Sequence, residues 1–185
     1  MYDKAVKSKK DKISPKLRNR YVEMILVRAG MVLNEGAANS DAIPLFIEDL
    51  DKYLTSDVSP ELKQQYALFL VQLADTNVAN EQYVKALSTF DKAMSVANNK
   101  SVIEVKKNQL MSKIAVDNYE MAEAEFKIAK EDKDEEGFIK AEYYTLVSML
   151  YDSTNMKAKK LLSDIYKENK ATYSAYVRVI EGYSD

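Results

Sequence analysis

The sequence predicts an all-α fold, an α-solenoid of stacked antiparallel helical hairpins. Three observations predict it. Tyr83, Ala86, Phe90 and Ala93 stand at i, i+3, i+7 and i+10, one stripe of an α-helix that alternates large and small side chains. The same spacing returns 36 residues later as Tyr119, Ala122, Phe126 and Ala129, and more weakly as Asn155, Ala158, Leu162 and Ile165. Only four Gly and three Pro occur, so turns are few, and no stretch sustains the alternation of a β-strand.

Taken in order, Tyr2 to Lys12 reads as a short basic helix whose Tyr2 and Ala5 echo the stripe. Ser14-Pro15 is a helix start, with Ser as cap and Pro in the first turn. That helix should run to about Asn34. Its apolar residues lie on most sides, which predicts burial between neighbours, and Ala29-Gly30 offers a small spot for close approach. Ser40 or Asp41 caps a helix carrying Ile43, Ile47 and Leu50. Ser59-Pro60 repeats the start signal and opens a helix through about Asn77, followed by the helix of Tyr83 to Ala93. Ser101 should cap a helix carrying Ile103, Leu110, Ile114 and Ala115. Asp117-Asn118 then reads as a turn into the helix of Tyr119 to Ala129. After the acidic stretch Glu131 to Gly137 come helices over Phe138 to Tyr151, Asn155 to Tyr166 and Ala171 to Gly182. The whole is one domain over 1–185 of about ten helices. The best repeats are 62–98, 101–134 and 138–168, with a divergent hairpin at 15–54 and terminal helices at 2–12 and 171–183.

The composition excludes several chemistries. With no His and no Cys, disulfides, thiolate zinc sites, cysteine nucleophiles and imidazole acid–base catalysis are all ruled out. No Gly-rich phosphate loop or dinucleotide fingerprint occurs, so neither an enzyme nor a cofactor is expected. The net charge of −2 gives no general affinity for nucleic acid. Residues 1–20 nevertheless gather eight Lys and Arg against two Asp, which reads as a solvated basic terminus. No apolar run reaches the ~18 residues a membrane helix needs, and no export signal is visible. The compartment stays open, a removed export signal included.

On the residues Tyr83, Ala86, Phe90, Ala93 and Tyr119, Ala122, Phe126, Ala129, with Leu70, Leu73 and Ala74 in the preceding helix, the chain resembles the tetratricopeptide repeat family. The resemblance covers about 62–130, is partial over 138–166, and departs in its 36-residue unit, in Lys106 and Leu110, and in lacking the closing proline. It implies a right-handed superhelix whose first helices line a concave groove that holds a peptide or helix of a partner. At the 36-residue offset, Val71, Lys107 and Tyr143 would form one groove row, and Asp75, Met111 and Val147 another. This set does not match the basic, Asn-rich clamp of chaperone-binding members.

Asp132, Asp134 and Glu136, followed by Gly137, resemble the start of a calcium loop, but Tyr143 stands where the closing Glu should be and Glu142 is one place early. The expectation is an acidic inter-repeat loop and no metal. Thirteen Tyr residues, crowded toward the C-terminus, read as core fillers with their hydroxyls at the rim. The functional expectation is a non-catalytic protein–protein interaction scaffold. The alternative is a structural subunit or extracytoplasmic, lipoprotein-type adaptor fragment that associates through 1–20 or 171–185.

Overall fold

The computed structural model describes residues 13–35 and 41–169. The regular structure of these residues is entirely α-helical, in seven helices. They are α1 (Pro15–Asn34), α2 (Ala42–Tyr53), α3 (Pro60–Ala79), α4 (Tyr83–Val96), α5 (Ser101–Asp132), α6 (Glu135–Tyr151) and α7 (Met156–Glu168). The helices expected over 2–12 and 171–183 lie outside the described residues. The chain divides into two compact units, Met1–Lys107 and Asn108–Asp185, and α5 runs through the boundary.

In the first unit, α1 packs with α2, α3 with α4, and α1 against α3. Both Ser-Pro signals act as expected: Ser14 Oγ accepts from Leu17 N–H at 3.4 Å and Ser59 Oγ from Leu62 N–H at 3.3 Å. The core is built from Val22, Leu26 and Ala29 of α1, Ile43 and Leu50 of α2, Tyr66 and Leu70 of α3, and the stripe Ala86, Phe90 and Ala93 of α4. Tyr21 and Tyr53 meet edge to face at 4.8 Å, joining α1 to α2. The tight link from α3 to α4 turns on Glu81, which adopts a left-handed φ of 57°, while Gln82 N–H donates to Asn77 O at 2.8 Å.

Two details of α1 differ from expectation. It is buried on one side only, and Met24, Val27 and Met31 are exposed. Ala29 is the residue of close approach; a Cβ built on Gly30 would meet no heavy atom within 4 Å.

The second unit is organised by α5, α6 and α7. Its core joins Ala122 and Ala129 of α5, Phe138 and Ala141 of α6, and Leu161 and Ile165 of α7, with Tyr119, Phe126 and Tyr144 packed against it. On α7 the buried residues are Ala158, Leu161 and Ile165; Asn155 is the cap, its Oδ1 accepting from Lys157 and Ala158 N–H at 3.1 Å each. The seam between α5 and α6 is made of small residues. A Cβ added to Gly137 would lie 2.9 Å from Ala129 Cβ, and Ser148 Oγ donates to Ala115 O at 2.7 Å. Phe126 and Phe138 meet edge to face at 6.0 Å beside this seam.

The largest departure from the sequence reading is α5. The turn expected at Asp117-Asn118 does not form, and residues 101–132 make one helix of 32 residues instead of a hairpin. The reason is local. At the 36-residue offset, the buried α3 residues Leu70 and Leu73 correspond to Lys106 and Gln109, so the apolar positions of this segment fall elsewhere, at Ile103, Leu110 and Ile114, and no Gly or Pro between 101 and 132 breaks the helix. Asp117 pairs with Lys113 at 2.6 Å, and Asn118 Nδ2 donates to Ile114 O at 2.8 Å. Both are one-turn contacts that suit an uninterrupted helix. At the start of α5, Asn99 serves the role expected of Ser101, its Oδ1 accepting from Ser101 N–H at 3.1 Å.

The two helical glycines separate close packing from intrinsic helix cost. Gly137→Ala should lower stability by about 1–2 kcal/mol, because Ala129 belongs to a rigid neighbour and must move. Gly30→Ala should raise it by roughly 0.5–1 kcal/mol, because the added methyl meets nothing and the unfolded chain loses freedom. Urea unfolding monitored by circular dichroism checks both signs.

Candidate functional site

The six groove residues stand as follows within their own units. Val71 is 7% exposed and belongs to the core of the first unit, so it offers a partner little surface. Its neighbours on α3 that do reach solvent are Leu68 and Gln72. Asp75 is tied to Lys106 at 2.6 Å, and Lys107 to Asp91 of α4. These two ion pairs fasten the start of α5 to α3 and α4. In the second unit Met111 and Val147 are half-buried, and Tyr143 is exposed, its ring edge-on to Tyr144 at 5.4 Å.

Tyr143 is part of a larger feature. Ile139, Tyr143, Leu146 and Leu150 follow at i, i+4, i+7 and i+11 along α6, and all four are between 46 and 75% exposed. The opposite face of α6 buries Gly137, Ala141, Thr145 and Ser148. The helix therefore turns its small residues inward, with Phe138, and four of its large ones outward. Sequence reasoning missed Ile139, Leu146 and Leu150 because α6 is apolar on every side. The available signal was the small-residue spacing, which marks the face against which a neighbour comes close.

Two concavities formed by described residues of the first unit bear on binding. One, of about 260 Å³, lies between α1 and α3 and is lined by Leu26, Val27, Gly30, Gln65, Leu68, Phe69 and Gln72. The other, of about 530 Å³, lies between α2 and α4 over Leu73 and Asn77 of α3. At its edge Asp51 of α2 accepts from Tyr66 OH at 2.9 Å and pairs with Lys92 of α4.

The acidic stretch after α5 is a helix–helix link. Lys133, with a φ of 56°, ends α5, and Asp134 caps α6 by accepting from Glu136 and Gly137 N–H at 3.1 Å each. Glu136 pairs with Lys140 at 2.9 Å, and Asp132 is the last residue of α5. No group of three or more acidic side chains among the described residues is gathered to hold a metal ion. No described helix is long and apolar enough to cross a membrane.

No family model matches the chain, and no curated protein or solved structure matches it.

Burial, followed by the hydrogen bond to Asp51, holds the Tyr66 phenol well above the ordinary range; Tyr119 is pushed up to about 12 by burial and by Glu123. A raised phenol favours the neutral folded form, so its contribution is fully present below about pH 10 and is lost as the pH climbs beyond it. Tyr66→Phe should therefore cost about 1 kcal/mol at pH 7 and flatten the fall in melting temperature between pH 10 and 12. Thermal melts of both proteins across that range measure the difference.

Proposed function

We propose that this chain is a non-catalytic protein–protein interaction module of helical-repeat type, resembling tetratricopeptide proteins over about residues 62–130. The exposed face of α6 docks an amphipathic helix of a partner protein. The single observation that supports this reading is the outward stripe Ile139, Tyr143, Leu146 and Leu150. Four large apolar side chains in a row on one exposed helix face form a contiguous patch rather than scattered surface hydrophobes. Their spacing presents about 16 Å of helix, the geometry that i, i+3, i+4 and i+7 anchors of a second helix match. The face is set on a rigid base, because the other side of α6 is locked to α5 through Gly137, Ala141 and Ser148.

The reading moves the recognition surface from the expected rows to α6. Of the six residues in those rows it keeps Tyr143 as an anchor, and it gives Asp75 and Lys107 a structural role through their ion pairs.

Tyr143→Glu with Leu150→Glu tests it, since both positions are solvent-exposed and the fold should be unchanged by circular dichroism. Quantitative affinity purification should show a protein held by the wild type and lost by the variant, with the binding rebuilt from purified components at a loss of at least tenfold in affinity. Equal retention by both proteins would remove the α6 stripe as the docking face. A wild-type dimer by light scattering that the variant converts to monomer would assign the stripe to self-association.

A further inference from the structure

The concavity between α2 and α4 is separate from the α6 stripe and carries an observation of its own. Its floor is aliphatic, formed by Ile43, Ile47 and Leu73. Asn77 projects from the last turn of α3 into this floor and is only 6% exposed. No hydrogen bond to its side-chain amide occurs among the described residues, yet no buried side-chain nitrogen or oxygen there is left without a partner or solvent. The Asn77 amide is therefore wetted through the concavity. A nearly buried amide that meets solvent on one side holds donors and an acceptor that a ligand can take up in place of water.

The rim is asymmetric. Asp41 and Glu48, on the α2 side, have no ion pair among the described residues, whereas Asp51 is already committed to Tyr66 and Lys92. Across from them Lys85 is linked to Gln82 at 3.2 Å. That bond to a neutral amide leaves the Lys85 charge in place, so the rim sets two unpaired carboxylates, Asp41 and Glu48, against one ammonium and is acidic on balance.

We propose that the α2–α4 concavity is a second recognition site, for a short extended peptide of a partner that places an aliphatic side chain beside Lys or Arg. The aliphatic group sits on Ile43, Ile47 and Leu73. The Asn77 amide, one acceptor oxygen and two N–H donors, pairs with the N–H and C=O of a peptide backbone. The cationic side chains meet Asp41 and Glu48. A volume of about 530 Å³ is in the range of sites that enclose a small ligand or a few residues of chain. The site stands on different residues from the α6 stripe, so either reading survives the failure of the other.

The test uses the full chain, ¹⁵N-labelled, with the side-chain amide resonances of Asn77 as reporter. The probes are two blocked pentapeptides, one with leucine between two lysines and one with leucine between two glutamates, glycine at both ends of each. The lysine peptide should shift the Asn77 signals saturably, and the glutamate peptide should bind at least tenfold more weakly. Glu48→Lys, a rim change that leaves the floor intact, should weaken the lysine peptide at least threefold, and Asn77→Ala, followed through the backbone amide signals of Ile43, Ile47 and Leu73 because the variant lacks the side-chain reporter, at least tenfold. Unmoved Asn77 signals, or equal binding of the two peptides, would overturn the proposal. A shift of those signals in peptide-free Lys7→Gln/Lys9→Gln/Lys10→Gln protein would assign the site to the chain's own first residues and overturn it as stated.

Discussion

The close approach of α5 and α6 along a seam of small residues governs the second unit. Ala115, Ala122 and Ala129 recur every seven residues on α5, and Gly137, Ala141 and Ser148 are buried on α6. A methyl at Gly137 would lie 2.9 Å from Ala129 Cβ, so the helices meet there with no space for a larger side chain. At the far end the Ser148 hydroxyl donates directly to a backbone carbonyl of α5, which fixes register as well as separation. Small residues contribute little apolar area themselves. Their effect is to let long stretches of helix touch, while Phe126, Phe138, Leu161 and Ile165 fill the space beside the seam. One consequence reaches the surface: with the seam face given to small side chains, Ile139, Tyr143, Leu146 and Leu150 point to solvent.

The first unit is held differently. Its core is large and aliphatic or aromatic, from Val22 and Leu50 to Tyr66 and Phe90, and its helices are pinned at the edges by polar links. Asp51 of α2 takes both the Tyr66 hydroxyl of α3 and the Lys92 ammonium of α4, tying three helices at one point. Arg18 of α1 reaches Thr55 and Asp57 in the link between α2 and α3. Pairs this exposed add little to stability individually. The Asp51–Lys92 pair bridges α2 and α4, the two helices that flank the concavity over Asn77.

Much of this was legible in the sequence. The Ser-Pro starts at 14–15 and 59–60 form caps as read, and Ala86, Phe90, Ala93, Ala122 and Ala129 are buried as their stripes required. The hairpin at 101–134 was misread because a stripe records which face of a helix is buried and says nothing about which way the preceding segment runs. The deciding residues were Lys106 and Gln109, polar where the earlier segment has Leu70 and Leu73, in a stretch from 101 to 132 that holds no Gly or Pro to end the helix. Val71 was misplaced for a related reason: a row extrapolated by a fixed offset carries no information about helix rotation, and the solvated residues beside it are Leu68 and Gln72. The exposed face of α6 and the role of Asn77 depend on long-range packing, which no local pattern of apolar residues encodes.

An uninterrupted α5 is what allows one helix to serve the first unit through Lys106 and Lys107 and the second through Ala115, Ala122 and Ala129. Spin labels at Val105 and Lys127, both solvent-exposed, measure it directly by pulsed electron–electron resonance. A continuous helix places the two backbone positions about 33 Å apart at 1.5 Å per residue, and a single distance distribution centred near that value is the expected result. A distribution centred below about 20 Å would mean that the chain turns back between them, and would contradict both the fused helix and the register of the seam built on it.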